Sequence, residues 1–252
     1  MQFEKLIKGK LLKRYKRFLA DIILENKEII TAHVPNSGAM TSCIEENCDV
    51  WLTFHDNPKR KLKYTLELTL INENLICTNT GVANKIAIEA IKNGTIKELQ
   101  NYTSLKPEQK YGQNSRIDIL LENENEKCYV EVKSVSLKID DYLAFPDAVT
   151  SRGTKHLNEL YEMTLQGHRA VMLYIIQRTD KKLTITSIER TMNKRFQFSI
   201  SIFTFHYKFI RRIIHQFHQV TGIFYYAFPV TPGYCSRQKS GYFNIFFPIE
   251  PV

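Results

Sequence analysis

The sequence predicts a two-domain α+β chain, with a small β-barrel over about residues 1–78 and a mixed α/β domain over about residues 79–252. Three observations predict it. The first 77 residues break into strand-like runs punctuated by Asn, Gly and Pro. After Thr80 the apolar period lengthens from two residues to three or four. No internal repeat or low-complexity linker separates the halves, so they are expected to pack on each other, with a boundary near Cys77 to Gly81.

In the first half, Lys10 to Leu24 is long and mixed in polarity, and Glu28 to Val34 stops at Pro35. Val50 to Phe54 and Leu62 to Ile71 follow, and strands this short suit a small barrel. In the second half, Val82, Ile86, Ala90 and Ile91 share one helical face and Asn93-Gly94 ends the run, which predicts a helix over Ala83 to Lys92. Arg116 to Leu121 and Cys128 to Val135 read as strands joined by the acidic turn Glu122 to Glu126. A helix over Thr154 to Gln166 and a buried strand over Ala170 to Ile176 complete this part.

Composition narrows the class of protein. With 252 residues, 43% of them hydrophobic and 24% charged, the chain can bury a core, which excludes a disordered or collagen-like polymer. Its five cysteines are odd in number and form no C-x-x-C pair, against both a disulfide framework and a common zinc knuckle. The basic Met1 to Phe18 stretch lacks an apolar signal core, and the longest apolar run, Ala170 to Ile176, is too short to span a bilayer. A soluble protein of the reducing cytoplasm is expected. The 35 basic and 26 acidic residues give a net charge of +9, but residues 183–252 hold 8 of the basic and only 2 of the acidic side chains. Whole-chain charge is therefore weak support for an anionic partner; the local clusters matter more.

One constellation carries chemistry. In Glu131-Val132-Lys133 the strand period puts the carboxylate and the ammonium on one face, and Asp118 lies on the preceding strand, within reach across a hairpin. Two carboxylates can hold Mg²⁺ or Mn²⁺ against phosphate oxygens while a lysine neutralises developing charge, as in metal-dependent phosphodiesterases. The string alone is common, for Glu25-Asn-Lys27 and Glu108-Gln-Lys110 share it; only the third is expected in a strand that follows an Asp-bearing strand. Glu89, on the helix before these strands, is a candidate third carboxylate, set against an ordinary exposed Glu beside Lys85 and Lys92. No Walker A, G-x-G-x-x-G, G-x-S-x-G or H-E-x-x-H pattern occurs, so nothing supports NTP, dinucleotide or triad chemistry.

Six ordered motifs carry a family resemblance: Arg14 to Asp21, Ala32 to Met40, Asn57 to Thr65, Tyr111 to Asp118, Cys128 to Ser134 and Phe145 to His156. Over about residues 1–180 the chain resembles the sugar fermentation stimulation protein family (SfsA). The resemblance implies an OB-fold-like N-terminal barrel and a C-terminal α/β domain like the PD-(D/E)XK nucleases, in bacterial cytoplasmic DNA-binding proteins linked to sugar use. It implies metal and catalytic roles for Asp118, Glu131 and Lys133, and an upstream helical carboxylate at Glu89. Ser37 stands where the family usually has Thr, which keeps the hydroxyl. From Leu183 onward the family ending is not recognisable.

Basic clusters complete the expected site. Arg14, Lys16 and Arg17, with Tyr15 and Phe18 beside them, suit a nucleic-acid groove, and Lys59, Arg60 and Lys61 form a second cluster. His33 and Asn36 flank a turn that suits an anion nest, with structural hydrogen bonding as the competing account. Arg152, Lys155 and His156 open the helix after Pro146-Asp147, where an anion is favoured. In the tail, Phe198, Ile202, Phe205, Phe209, Ile213 and Phe217 suit one helix face, while His206, His215 and His218 lack companion ligands for a metal. Three functions follow: a Mg²⁺- or Mn²⁺-dependent nuclease on DNA, largely independent of sequence; a DNA-binding regulator without turnover; and an RNA-binding or RNA-processing protein.

Overall fold

Burial alternates strictly along Leu19–Leu24, where Ala20, Ile22 and Leu24 point inward, and the two-residue period continues along Ile29–His33. The computed structural model describes residue 3, residues 5–140, 142–145 and 151–180, and the backbone of 184–186, 201–206 and 225–227. The first six strands are β1 (Leu6–Tyr15), β2 (Leu19–Leu24), β3 (Ile29–His33), β4 (Asp49–Phe54), β5 (Tyr64–Ile71) and β6 (Asn74–Cys77). They form one sheet in the order β3-β2-β1-β4-β5-β6, and β3 pairs in parallel with β5 through Ala32↔Tyr64 and His33↔Thr65. That pairing closes β1 to β5 into a barrel, with Leu11, Ile22, Val50, Leu52 and Leu66 in its core. Gly9 permits the tight β1–β2 approach, since a Cβ there would lie 2.7 Å from Ile22 Cγ2 and 2.9 Å from the Ile23 carbonyl oxygen.

The second half is layered. Helix α1 (Gly81–Lys92) leads to the hairpin strands β7 (Ser104–Tyr111), β8 (Ser115–Glu122) and β9 (Lys127–Val135). Short strands β10 (Leu137–Ile139) and β11 (Tyr142–Ala144) precede helix α2 (Ser151–Leu165) and β12 (Arg169–Ile176). Strands β13 (Thr184–Thr186), β14 (Ser201–His206) and β15 (Tyr225–Ala227) follow. The large sheet runs β15-β14-β12-β9-β8-β7, and β12 lies parallel to β9, a connection that requires the α2 crossover. Val82, Ile86 and Ala90 of α1 pack on Cys128, Val130 and Val132 of β9, whereas Leu157, Leu160 and Met163 of α2 pack with Tyr129 and Met172. The even and odd residues of β9 thus face opposite helices.

The barrel launches α1. Buried Glu67 accepts from Thr53 (2.7 Å) and from Asn79 Nδ2 (2.8 Å), and Asn79 Oδ1 accepts the N–H of Gly81 (3.0 Å) at the helix start. Edge strand β6 meets the segment after β12, with Cys77 N–H donating to the Gln177 carbonyl (2.9 Å) and Ile76 bridging Arg178.

Four local expectations are corrected. Lys10 to Leu24 is two strands, because Lys16 and Arg17 both adopt positive φ (48° and 62°) and turn the chain back as a hairpin without the usual Asn or Gly. Strands β6 and β7 were not expected; β7 contains Pro107, which an edge strand tolerates. Glu108-Gln-Lys110 therefore also lies in a strand. In the tail, Ile202 and Phe205 lie in β14, paired in parallel with β12, instead of in a helix. Within β14 the two-residue alternation of Phe203 and Phe205 with Thr204 and His206 is a strand period, which outweighs the three-to-four spacing there. Phe198, Phe209, Ile213, Phe217, His215 and His218 lie outside the described residues.

Candidate active site

Strands β8 and β9 part where the chemistry lies. Their ladder reaches only to Ile119↔Val130, while β8 stays paired with β7 beyond that point through Ile117↔Gln109. Ile119 and Leu121 join the core under α1 but Ile117 joins the core under α2, so the strand changes its inward face at Asp118. The Asp118 carboxylate replaces a ladder partner: Oδ2 accepts the N–H of Val132 at 2.7 Å, and Oδ1 accepts from Asn84 of α1 at 2.8 Å.

Glu131 sits in β9, 2% exposed, on the face toward α2. Its Oε1 accepts from Lys133 Nζ at 2.5 Å and pairs with His156 Nδ1 from α2. Its Oε2 is buried and has no partner among the described residues. Burial pushes the Glu131 carboxyl up, but His156 and Lys133 outweigh it and hold the group below the usual range. Asp118 moves the other way: burial and then the Glu131 charge raise it, against the Val132 N–H, Asn84 and Lys133. The pair thus shares one negative charge more comfortably than two.

Two further oxygens are stranded beside it. Tyr111 and Glu159 are 7% and 8% exposed, and the phenol OH and Glu159 Oε2 have no partner among the described residues. Burial, followed by the charges of Glu131, Glu159 and Asp118, raises the Tyr111 phenol, and Tyr174 is raised by burial and by Glu131. The β7–β8 turn holds Glu159, whose Oε1 accepts the Gln113 N–H at 3.2 Å. Gly112 has φ +52°, and a Cβ there would lie 3.0 Å from the Glu159 carboxyl.

Among the described residues, no three His, Cys, Asp or Glu side chains form a metal cluster. The donor set is two carboxylates, one with a buried unpartnered oxygen. That set fits a hard divalent ion such as Mg²⁺, which takes one or two carboxylates and keeps several waters.

The sequence-chosen residues divide into groups. Asp118, Glu131, Lys133 and His156 come together, His156 facing the carboxylate from within α2. Glu89 is half-buried on α1, roughly 140° around the helix from Asn84, which is the α1 side chain that reaches Asp118. Lys155 is exposed and lies 3.8 Å from Glu159. Arg152 belongs to α2, and its side chain lies outside the described residues.

On the barrel, Lys16, Arg17, Lys59 and Lys61 are exposed. Arg14 instead organises a loop, donating to the carbonyls of Arg17, Asn36, Gly38 and Ala39 at 2.9–3.0 Å. Asn36 is buried, donating to the Thr78 carbonyl (3.1 Å) and accepting from Gly38 (2.9 Å), so it ties the loop to the entry of α1. His33 is depressed by burial and by the charge of Arg60.

Sequence reasoning missed Asn84, Tyr111, Glu159 and the inward orientation of His156. The signal for α2 was present: His156 and Glu159 flank the core residues Leu157 and Leu160, where a solvated helix face would not lie.

Comparison with known proteins follows the same division. Residues 12–78 match the SfsA N-terminal OB domain and residues 81–202 the sugar fermentation stimulation protein RE domain. The chain is 55% identical over 177 residues to the sugar fermentation stimulation protein homolog of Marinomonas sp. (strain MWYL1), covering 69% of each chain. The chain belongs to the sugar fermentation stimulation protein family. A second member, from Geotalea uraniireducens (strain Rf4), is 52% identical over 170 residues, covering 68% of this chain and 74% of the relative. The solved structure of Pyrococcus furiosus SfsA in complex with Ca²⁺ superposes with a TM-score of 0.70 at 22% identity, over 82% of this chain and 91% of that one. The fold is that of the SfsA family: an OB barrel followed by the family's α/β RE domain. Among the described residues no helix is long and apolar enough to cross a membrane.

Proposed function

We propose that this SfsA-family protein is a DNA-binding, divalent-metal-dependent nuclease whose site is Asp118, Glu131 and Lys133. The observation that carries the reading is the buried Glu131 carboxylate, with one oxygen gripped by Lys133 and His156 and the other unpartnered among the described residues. Asp118 and Glu131 would hold Mg²⁺ or Mn²⁺, with the Val132 carbonyl completing the shell, while Glu89, on another side of α1 from Asn84, would serve only a second, looser ion. When bound, the ion supplies Lewis-acid stabilisation of the charge that develops on a scissile phosphate.

The chain's own residues do the rest. His156 and Lys133 fix Glu131 in one orientation, so that its second oxygen is presented without reorganisation. The Lys133 ammonium, one-fifth exposed, offers a positive charge to the phosphate and a hydrogen bond to an attacking water. Asn84 and the Val132 N–H hold Asp118 beside it. Exposed Lys16, Arg17, Lys59 and Lys61 on the barrel supply sequence-independent attraction to the DNA backbone, steep in salt. The bacterial cytoplasm is the compartment this reading assumes.

The test is cleavage of single- and double-stranded DNA in Mg²⁺, Mn²⁺ and EDTA by wild type, Glu131→Ala and Lys133→Ala. Metal-dependent cleavage abolished in both variants, with binding intact, is expected. Cleavage unaffected by either change would mean that the activity lies elsewhere. A second reading, a regulator that binds DNA without turnover, is favoured by Asp118, whose two oxygens already accept hydrogen bonds from Val132 and Asn84. It predicts DNA and metal binding with no cleavage under any of these conditions.

A further inference from the structure

At the end of the barrel where β3 closes on β5, two aromatic rings stand side by side. Phe54 and Tyr64 are cross-strand partners on β4 and β5, with ring centroids 5.2 Å apart and planes tilted by 59°. Phe54 is 39% exposed, one of the few large apolar side chains left in water among the described residues. Lys63 Nζ lies 5.9 Å from the Phe54 ring centroid. The β4–β5 connection, residues 55–63, carries Lys59, Arg60, Lys61 and Lys63 against a single acid, Asp56, 4.0 Å from Lys63 Nζ.

This connection is built and held. His55 N–H donates to the Lys63 carbonyl (2.8 Å), and Lys59 N–H donates to Asn57 Oδ1 (2.9 Å). The Arg60 guanidinium donates to Thr65 Oγ1 (3.0 Å) at the second residue of β5. Such a patch is a poor seat for an apolar protein segment, because four cations would border the contact. It suits a ligand that is both anionic and flat, since aromatic faces stack on bases while lysines follow the phosphates.

We propose that Phe54 and Tyr64, backed by Lys63, form a stacking platform for an unpaired base of single-stranded DNA. The proposal rests on the nucleic-acid reading above and sharpens it, naming a strand with exposed base faces as the preferred polymer. A closed duplex can meet the cations but has no free base face to give to Phe54, so ring and charge separate the two polymers.

The experiment is fluorescence anisotropy in EDTA, which blocks cleavage, with a labelled oligothymidine, a duplex hairpin closed by a polyether loop that carries no bases, and an oligouridine of equal length. Phe54→Ala should weaken oligothymidine binding roughly tenfold, within the range of one lost base stack, and change hairpin binding by less than about twofold. Phe54→Trp should restore the affinity, and its indole fluorescence should be quenched by oligothymidine beyond any change from Trp51. Circular dichroism on both variants checks the fold, and Phe54→Trp keeps the test open if Phe54→Ala unfolds. Equal losses on strand and hairpin, no loss on the strand, or no quenching of Phe54→Trp would overturn the platform while hairpin binding left the broader reading standing. Tighter binding of oligouridine than oligothymidine would overturn the assignment to DNA. Wild type binding none of the three would overturn the nucleic-acid reading itself.

Discussion

Two buried polar clusters in this molecule differ in how completely they are satisfied. At the contact between the barrel and the α/β domain, Arg178 and Asp180 are 3% and 4% exposed and form a two-pronged pair, Nε to Oδ1 at 2.9 Å and Nη2 to Oδ2 at 3.2 Å. Arg178 Nη1 also donates to the carbonyls of Ser136 (2.7 Å) and Ser42 (3.0 Å), and Lys138 lies 3.1 Å from Asp180. At the Glu131 site the burial is similar, yet three oxygens on Tyr111, Glu131 and Glu159 lack partners among the described residues. A finished network binds two parts of a fold together, and an unfinished one is costly unless something outside the chain completes it. The first cluster reads as architecture and the second as a site.

Breaking the finished cluster should have the largest effect on stability. Arg178→Ala leaves Asp180 buried with only Lys138, and is expected to cost about 3–5 kcal/mol, measured by denaturant unfolding. The unfinished cluster should respond mainly in activity. Glu131→Gln should reduce cleavage by about 10²–10³-fold, the scale of a lost preorganised electrostatic contact, while lowering the melting temperature less than Arg178→Ala does, because burial offsets part of what His156 and Lys133 give the ionised carboxylate. A melting temperature that fell as far as that of Arg178→Ala would erase the distinction.

The acid limb sharpens the comparison. Burial pushes the Asp180 carboxyl up, but Arg178 and Lys138 outweigh it and hold it below its ordinary value of 3.8. A depressed carboxylate stabilises the fold above its unfolded value and loses that contribution as pH falls through the folded one. Stability should therefore decline below about pH 3.8, and Asp180→Asn, less stable at neutral pH, should show a flatter decline there. Urea melts across that range measure it.

A smaller effect is expected at Gly112, whose positive φ and contact with Glu159 oppose a side chain. Gly112→Ala should cost about 1–2 kcal/mol, which thermal melts report. The smallest effect belongs to Lys155→Ala, because its 3.8 Å pair with Glu159 is half solvent-exposed on the lysine side. A loss below about 0.5 kcal/mol is expected by the same melts.

Much of the fold was legible in the sequence because it rests on local periods. The strands around Val50 to Phe54, Leu62 to Ile71 and Cys128 to Val135, and the helices after Thr80 and around Leu157 to Met163, follow from which positions are apolar. Glu131 and Lys133 share a strand face for the same reason. The Lys16-Arg17 hairpin was hidden because its backbone signal normally comes from Asn or Gly, and β7 because Pro107 argues against a strand unless it lies at an edge.

What only the tertiary structure decided is which charged groups meet. Arg14 and Asn36 resemble phosphate ligands in sequence, but the Pro35 to Ala39 loop folds back on them and takes their hydrogen bonds for itself. His156 looked like a helix-opening contact for DNA, and the α2 crossover turns it onto Glu131 instead. Asn84, Tyr111 and Glu159 come from α1, β7 and α2, and no spacing along the chain relates them to Asp118. Periodicity fixes the side of an element on which a residue sits; only the packing of distant elements fixes its partner, and at a buried carboxylate the partner sets the charge.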